Sequence, residues 1–186
     1  MNPAESEQDA DSAIDFLQAP DGGNKAEKVI LTSFPRSGNT LLRTLLEKLT
    51  KVHTGSDCDL RRPLNMQLKT MGLEGEGTLD DTVWVVKTHY PERIGRVPFS
   101  TNKCIVIVRN PLDSIFSLFN MVGTVSHNES LEPEVVQHAI NETTLFDEFI
   151  QQEASVWDDF HSYWLREQNQ VPVHFVTYES LLLEPE

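Results

Sequence analysis

The sequence predicts an α/β fold built on a parallel β-sheet. Three observations point to it. Four short apolar runs, at 28–33, 83–87, 104–109 and 173–177, are rich in Val, Ile or Phe. Helical patterns separate them, as strand–helix alternation requires. Two of the runs lack polar alternation, as strands covered on both faces do.

The elements follow in order. Residues 1–28 hold seven acids against two lysines and few large apolar side chains. Residues 1–27 are therefore expected to form a disordered acidic tail, with Ile14-Asp15-Phe16-Leu17 at most a short helical turn. Residues 28–186 are expected to form one domain. Its first strand, 28–33, runs into Ser33-Phe34-Pro35-Arg36-Ser37-Gly38-Asn39-Thr40-Leu41 and then into a helical pattern over 40–50. Segment 51–82 is loop-rich, with weak helical character near 62–71. A strand at 83–87 and another at 104–109 follow. Pro111 suits a first helical turn and opens a helix to about Met121. The longest helix spans about 144–168, where Phe146, Phe149, Ile150, Trp157, Phe160 and Trp164 recur at three- and four-residue steps. Its tryptophans read as core. The last strand, 173–177, leads into Tyr178–Glu186, which starts a further element. The ending there, with no closing helix, suggests a fragment or a C-terminally truncated product.

Bulk composition excludes several classes. With 186 residues and 39% apolar content, the chain can bury a substantial core. A formal charge of −14 argues against nonspecific nucleic-acid binding, which needs a basic surface. It leaves room for one anionic nucleotide in a local basic pocket. Cys58 and Cys104 have neither metal-ligand spacing nor a disulfide framework, so no metal site is expected and a reducing compartment is the default. No secretory n- and h-region opens the chain, and no apolar run reaches membrane-spanning length. These features give a cytoplasmic expectation, with the Golgi lumen as the alternative if an N-terminal anchor precedes this sequence.

The nonapeptide at 33–41 is the first chemical signal. Strand, tight loop and helix present backbone N–H groups and a helix N-terminus to an anion. Gly38 allows close backbone approach. Ser37, Asn39 and Thr40 add short donors, and Arg36 adds a cation. It is not the G-x-x-x-x-G-K-[ST] loop of nucleotide hydrolases, because Asn39 follows Gly38 and no glycine stands five residues earlier. The plainer reading is an ordinary capped strand-to-helix turn. The second signal is Lys87-Thr88-His89 at a strand's C-terminal end, where open parallel sheets bind ligands. Residues two apart on extended backbone share a face, so Lys87 and His89 can enter one cleft. A histidine can take a proton there and a lysine can neutralise a leaving group. A surface lysine and a loop histidine are the alternative. The third signal is Arg109 with Ser117 eight residues on, about 12 Å apart along a helix. By spacing alone, a pairing of Arg109 with Asp113 explains that arginine equally well. Tyr178, at the end of the last strand, could face a base.

Together these strings resemble the PAPS-dependent sulfotransferases. The matches are Phe34-Pro35-Arg36-Ser37-Gly38-Asn39-Thr40, Lys87-Thr88-His89-x-Pro91, Val108-Arg109-Asn110-Pro111 with Ser117, and Val176-Thr177-Tyr178-Glu179-Ser180-Leu181, in family order across 28–186. Thr54-Gly55-Ser56 and Ser117-Leu118-Phe119-Asn120 look more like the WSC-domain sulfotransferase type than the small-molecule cytosolic type.

The resemblance implies a P-loop NTPase-like three-layer fold with a central parallel sheet flanked by helices. It implies transfer of a sulfuryl group from 3′-phosphoadenylyl sulfate (PAPS) to an acceptor hydroxyl or amine, leaving adenosine 3′,5′-bisphosphate (PAP), with no metal. Arg36, Ser37, Gly38, Asn39 and Thr40 would hold the 5′-phosphosulfate. Arg109 and Ser117 would hold the 3′-phosphate, and Tyr178 would lie beside the adenine. His89 would be the general base, with Lys87 and Arg36 stabilising the departing charge. The acceptor would be a small molecule or a glycan, set by 51–82, 90–102, 122–143 and sequence beyond 186. Leu41 stands where cytosolic members have a tryptophan against adenine. His161 sits one place off the cytosolic pattern. The family's downstream Gly-rich basic segment is absent from these 186 residues. An inactive nucleotide-binding relative and a P-loop kinase or nucleotide hydrolase are the competing readings.

Overall fold

The computed structural model describes residues 13–18, 27–91 and 99–183. Its centre is a five-stranded sheet in which every pairing is parallel. The strands are β1 (Val29–Ser33), β2 (Gly55–Ser56), β3 (Val85–Thr88), β4 (Lys103–Val108) and β5 (Val173–Thr177), in the spatial order β2-β3-β1-β4-β5. Among the described residues, six helices accompany them: α1 (Asn39–Thr50), α2 (Pro63–Thr70), α3 (Pro111–Thr124), α4 (Pro133–Asn141), α5 (Leu145–Glu167) and α6 (Tyr178–Leu183). The expected α/β architecture with a parallel sheet is what the chain forms.

Strand periodicity sorts the core into two layers. Ile30, Cys104, Val106, Val108, Val173 and Phe175 face Ile115, Leu118 and Met121 of α3 and Phe160 and Trp164 of α5. Leu31, Val85, Ile105 and Ile107 face the other way, onto Leu42 and Leu46 of α1 and Leu181 of α6. Fully buried Phe34, directly after β1, anchors the following turn in the first layer. Both helix-bound tryptophans pack there, as the periodicity of 144–168 requires.

The structure differs from the sequence expectations in three places. Gly55–Ser56 is a strand, paired with Val86 and Lys87 of β3. Residues 133–141, within a stretch without a readable pattern, form α4. The Ile14–Leu17 stretch is extended rather than helical: the Asp15 N–H donates to the Lys51 carbonyl, and the Asp15 carbonyl accepts from His53 N–H. Leu17 N–H donates to Thr82, and the Phe16 ring sits 4.7 Å from that of His53. That part of the tail is held by the domain; residues 1–12 and 19–26 lie outside the described residues. No helix among the described residues is long and apolar enough to cross a membrane.

Candidate active site

The C-terminal ends of β1, β3 and β4 open into one cavity of about 790 Å³. Arg36, Gly38, Asn39, Thr40, Lys87, His89, Arg109 and Tyr178 all line it. Two residues of the expected site do not: Ser37 is wholly buried behind the turn, and Ser117 stands on α3. Among the described residues, five cations border the space (Arg36, Arg61, Arg62, Lys87 and Arg109) against the carboxylates of Asp57 and Asp59. An acidic protein therefore carries a locally basic cleft.

The turn from β1 into α1 is tight. Arg36 has φ 65° and Gly38 has φ 102°, both in the left-handed region. At Gly38 a Cβ would lie 2.4 Å from Tyr178 Cδ2, so only glycine fits beneath that ring. The ring also meets a cation, since the Arg109 guanidinium carbon lies 4.4 Å from the Tyr178 centroid. Arg109 also donates to the Arg36 carbonyl at 2.7 Å, rather than pairing with Asp113. Tyr178 is the first residue of α6 and packs on arginine and glycine.

Several buried polar atoms in and beside the turn lack partners among the described residues: Ser37 Oγ, Asn39 Oδ1 and Arg109 Nε. Unmet groups of this kind are uncommon in folded proteins and call for a partner such as water, an ion or a bound group. Asn39 Nδ2 donates to Ser33 Oγ at 2.6 Å. Turning that amide over would let the Ser33 hydroxyl donate instead and leave an N–H as a further donor.

His89 is oriented by backbone. Its Nδ1 lies 2.8 Å from the Ser33 carbonyl, which can only accept, so Nδ1 carries the proton and Nε2 is the basic nitrogen. The chain beyond it is pinned, because Thr32 Oγ1 and Trp164 Nε1 each donate to the Tyr90 carbonyl at 3.1 Å. Lys87 is 7% exposed, and burial pushes its ammonium below the usual lysine range, partly opposed by Glu76. Burial raises the Glu76 carboxyl, but the guanidinium of Arg43 and the ammonium of Lys87 outweigh it and leave Glu76 below the usual range. Arg43 and Glu76 form an ion pair with both side chains buried.

Arg109 and Ser117 are joined through a third side chain. Arg36 Nε donates to Ser117 Oγ at 3.0 Å while its carbonyl receives Arg109. Sequence reasoning missed His127, which contacts the Arg36 guanidinium at 3.2 Å through both Nδ1 and its carbonyl. The weak helical character expected near 62–71 is α2, which together with Arg62 before it walls the cavity through Leu64 and Leu68. Pro63 at its first turn is a further sign of that helix; nothing in the sequence marks His127.

A family model described as "Sulfotransferase domain" matches residues 26–186. The chain is 41% identical over 90 residues to WSCD family member CG9164 of Drosophila melanogaster, covering 48% of this chain and 26% of that protein. It is 37% identical over 97 residues to WSCD family member AAEL009094 of Aedes aegypti, covering 52% and 28% respectively. The chain aligns with roughly a quarter of the length of the curated relatives it matches.

Proposed function

The chain belongs to the sulfotransferase domain family, and from that membership we propose that it moves a sulfuryl group from PAPS to an acceptor hydroxyl or amine. One observation carries the reading: the oriented His89 and the buried Lys87 meet the glycine turn, and Arg109 with its unmet buried Nε, in a single cation-lined cavity. The residues suit such a donor. Arg109 Nε and the N-terminal end of α1 are equipped for phosphate-like oxygens. When bound, PAPS supplies an activated sulfuryl group on a phosphate that leaves as an anion.

The protein's own part then follows from the geometry. His89 Nε2 takes the acceptor's proton, and the Ser33 carbonyl stabilises the imidazolium through Nδ1–H. Lys87 and Arg36 hold charge that faces the leaving group, in a site where partial burial strengthens each interaction. Arg109, with Ser117 behind Arg36, forms the second anionic subsite. The acceptor enters along the wall built by α2 and the 125–128 segment.

A thermal-shift titration with PAP, beside AMP and ATP–magnesium, tests this. Ligand at a hundred times its dissociation constant stabilises by about 2.7 kcal/mol. A response to PAP with little to ATP–magnesium is expected. A response to ATP–magnesium alone would replace this reading with phosphoryl transfer, and no response to PAP would overturn it. His89→Ala should then lower turnover about 10²- to 10⁴-fold with PAP affinity retained. Parallel loss of both would remove His89 as the base.

A further inference from the structure

His127 lies beyond the groups that the proposed chemistry uses, yet it is one of the most tightly held side chains beside the cavity. It follows Val125, a β-branched residue at the end of α3 with φ 52°. Such a residue keeps a left-handed backbone only where its surroundings hold it there. Four polar contacts do so around His127. Its N–H donates to Gln67 Oε1 at 3.0 Å, and its carbonyl accepts from Arg36 at 3.2 Å. Ring Nε2 lies 3.0 Å from the Leu64 carbonyl, and ring Nδ1 lies 3.2 Å from an Arg36 nitrogen.

These partners fix the protonation state. The Leu64 carbonyl only accepts, so Nε2 carries the proton. The Arg36 guanidinium only donates, so Nδ1 must offer its lone pair. The ring is therefore neutral. Burial favours that state; the Leu64 contact opposes it, Arg36 and Lys87 favour it, and Glu76 opposes it.

We propose that His127 is the positioning residue for Arg36: the neutral imidazole clamps the turn's guanidinium between α3 and α2, so donor affinity follows the charge of a group outside the catalytic pair. The proposal rests on the sulfotransferase reading above. Protonating Nδ1 would set an N–H against an N–H and a positive charge against a positive charge. Arg36 would then lose the ring contact and keep Ser117 Oγ, the Met121 sulfur and the His127 carbonyl. The groups that face the ring are Arg36 from the turn, Leu64 and Gln67 from α2, and, at longer range, Lys87 from β3 and Glu76.

The test is calorimetric titration of the 186-residue chain with PAP at pH 7.5 and 5.5. Wild type is compared with His127→Ala, His127→Gln, Arg36→Ala and the Arg36→Ala/His127→Ala double variant. His127→Ala should weaken PAP roughly tenfold at pH 7.5, the size expected for a hydrogen bond to a charged group. Glutamine offers one acceptor and one donor, so His127→Gln should recover most of that loss. Between pH 7.5 and 5.5 the wild type should lose more affinity than His127→Gln, since the titration of PAP's phosphates is common to both and the imidazole is not. Against Arg36→Ala, removing His127 should cost nothing more. Wild-type affinity in His127→Ala, or a loss that simply adds to that of Arg36→Ala, overturns the proposal while the sulfotransferase reading stands. A wild-type chain that does not bind PAP overturns both. If His127→Ala does not fold, the pH comparison between wild type and His127→Gln decides.

Discussion

Gly38 meets two constraints at one position. Its φ of 102° excludes ordinary side chains, and a Cβ would collide with Tyr178 Cδ2. Gly38→Ala should therefore cost about 1–3 kcal/mol in urea denaturation and weaken PAP, because the displaced ring also stacks on Arg109. An unchanged midpoint would disprove the close approach. Arg109 lines the cavity and has a buried, unpartnered Nε; in the proposed function it contacts the second phosphate. Arg109→Ala should weaken PAP far more than AMP, by about tenfold or more; similar losses for both nucleotides would remove it from that subsite. Arg36, Gly38, Lys87 and His89 were legible because strand ends and tight turns leave strong local marks. The Arg109–Ser117 relation was not. Spacing along a helix measures direct distance, whereas these residues communicate through Arg36, whose direction depends on α3. His127 was illegible for a similar reason, since its partners Leu64 and Gln67 sit about sixty residues earlier.

Among the elements, α1 is tied down by more than its apolar face. Arg43 pairs with Glu76 and donates to the Thr54 hydroxyl at 2.8 Å and carbonyl at 3.1 Å. One turn on, Glu47 accepts from the Thr54 N–H and hydroxyl. This buried network joins the helix of the glycine turn to β2 and to the loop before β3. Removing one partner strands the other's charge away from water. Arg43→Ala should therefore cost about 3–5 kcal/mol, read from urea unfolding. A loss below about 1 kcal/mol would show that Glu76 finds other partners among its neighbours. The long strands were readable from their β-branched runs, because both sheet faces are covered. Gly55–Ser56 had no such signal: two small residues become a strand only by pairing with β3. For α4 the proline at its first turn was present, but Val135 and Ile140 stay exposed and blur its apolar stripe.

For the whole molecule, the balance of charge separates the surface from the cleft. A net charge of −14 says nothing of the five cations around the cavity, so the bulk sum was uninformative about the site itself. Lys87 is the sharpest case. Its pKa in the folded state is depressed, chiefly by burial, so its stabilising share exists only above the unfolded lysine range and is lost as pH falls through the folded value. Where Lys87 is charged, the fold carries the cost of burying it. Lys87→Met should abolish turnover and stabilise the protein by about 0.5–2 kcal/mol, raising the melting temperature. A lower melting temperature would mean that Glu76 and Asp57 more than compensate the charge. The parallel order of the sheet has a further consequence, for synthesis. Central β1 is translated first, yet both its neighbours, β3 and β4, come much later. The site is not complete until Tyr178 has left the ribosome, roughly 7–30 s after Ser33 at about 5–20 residues per second. Until β3 emerges, about fifty residues after β1, the nascent chain carries an apolar strand with no sheet to join, so its yield in the cell should depend on chaperones that shield unpaired strands.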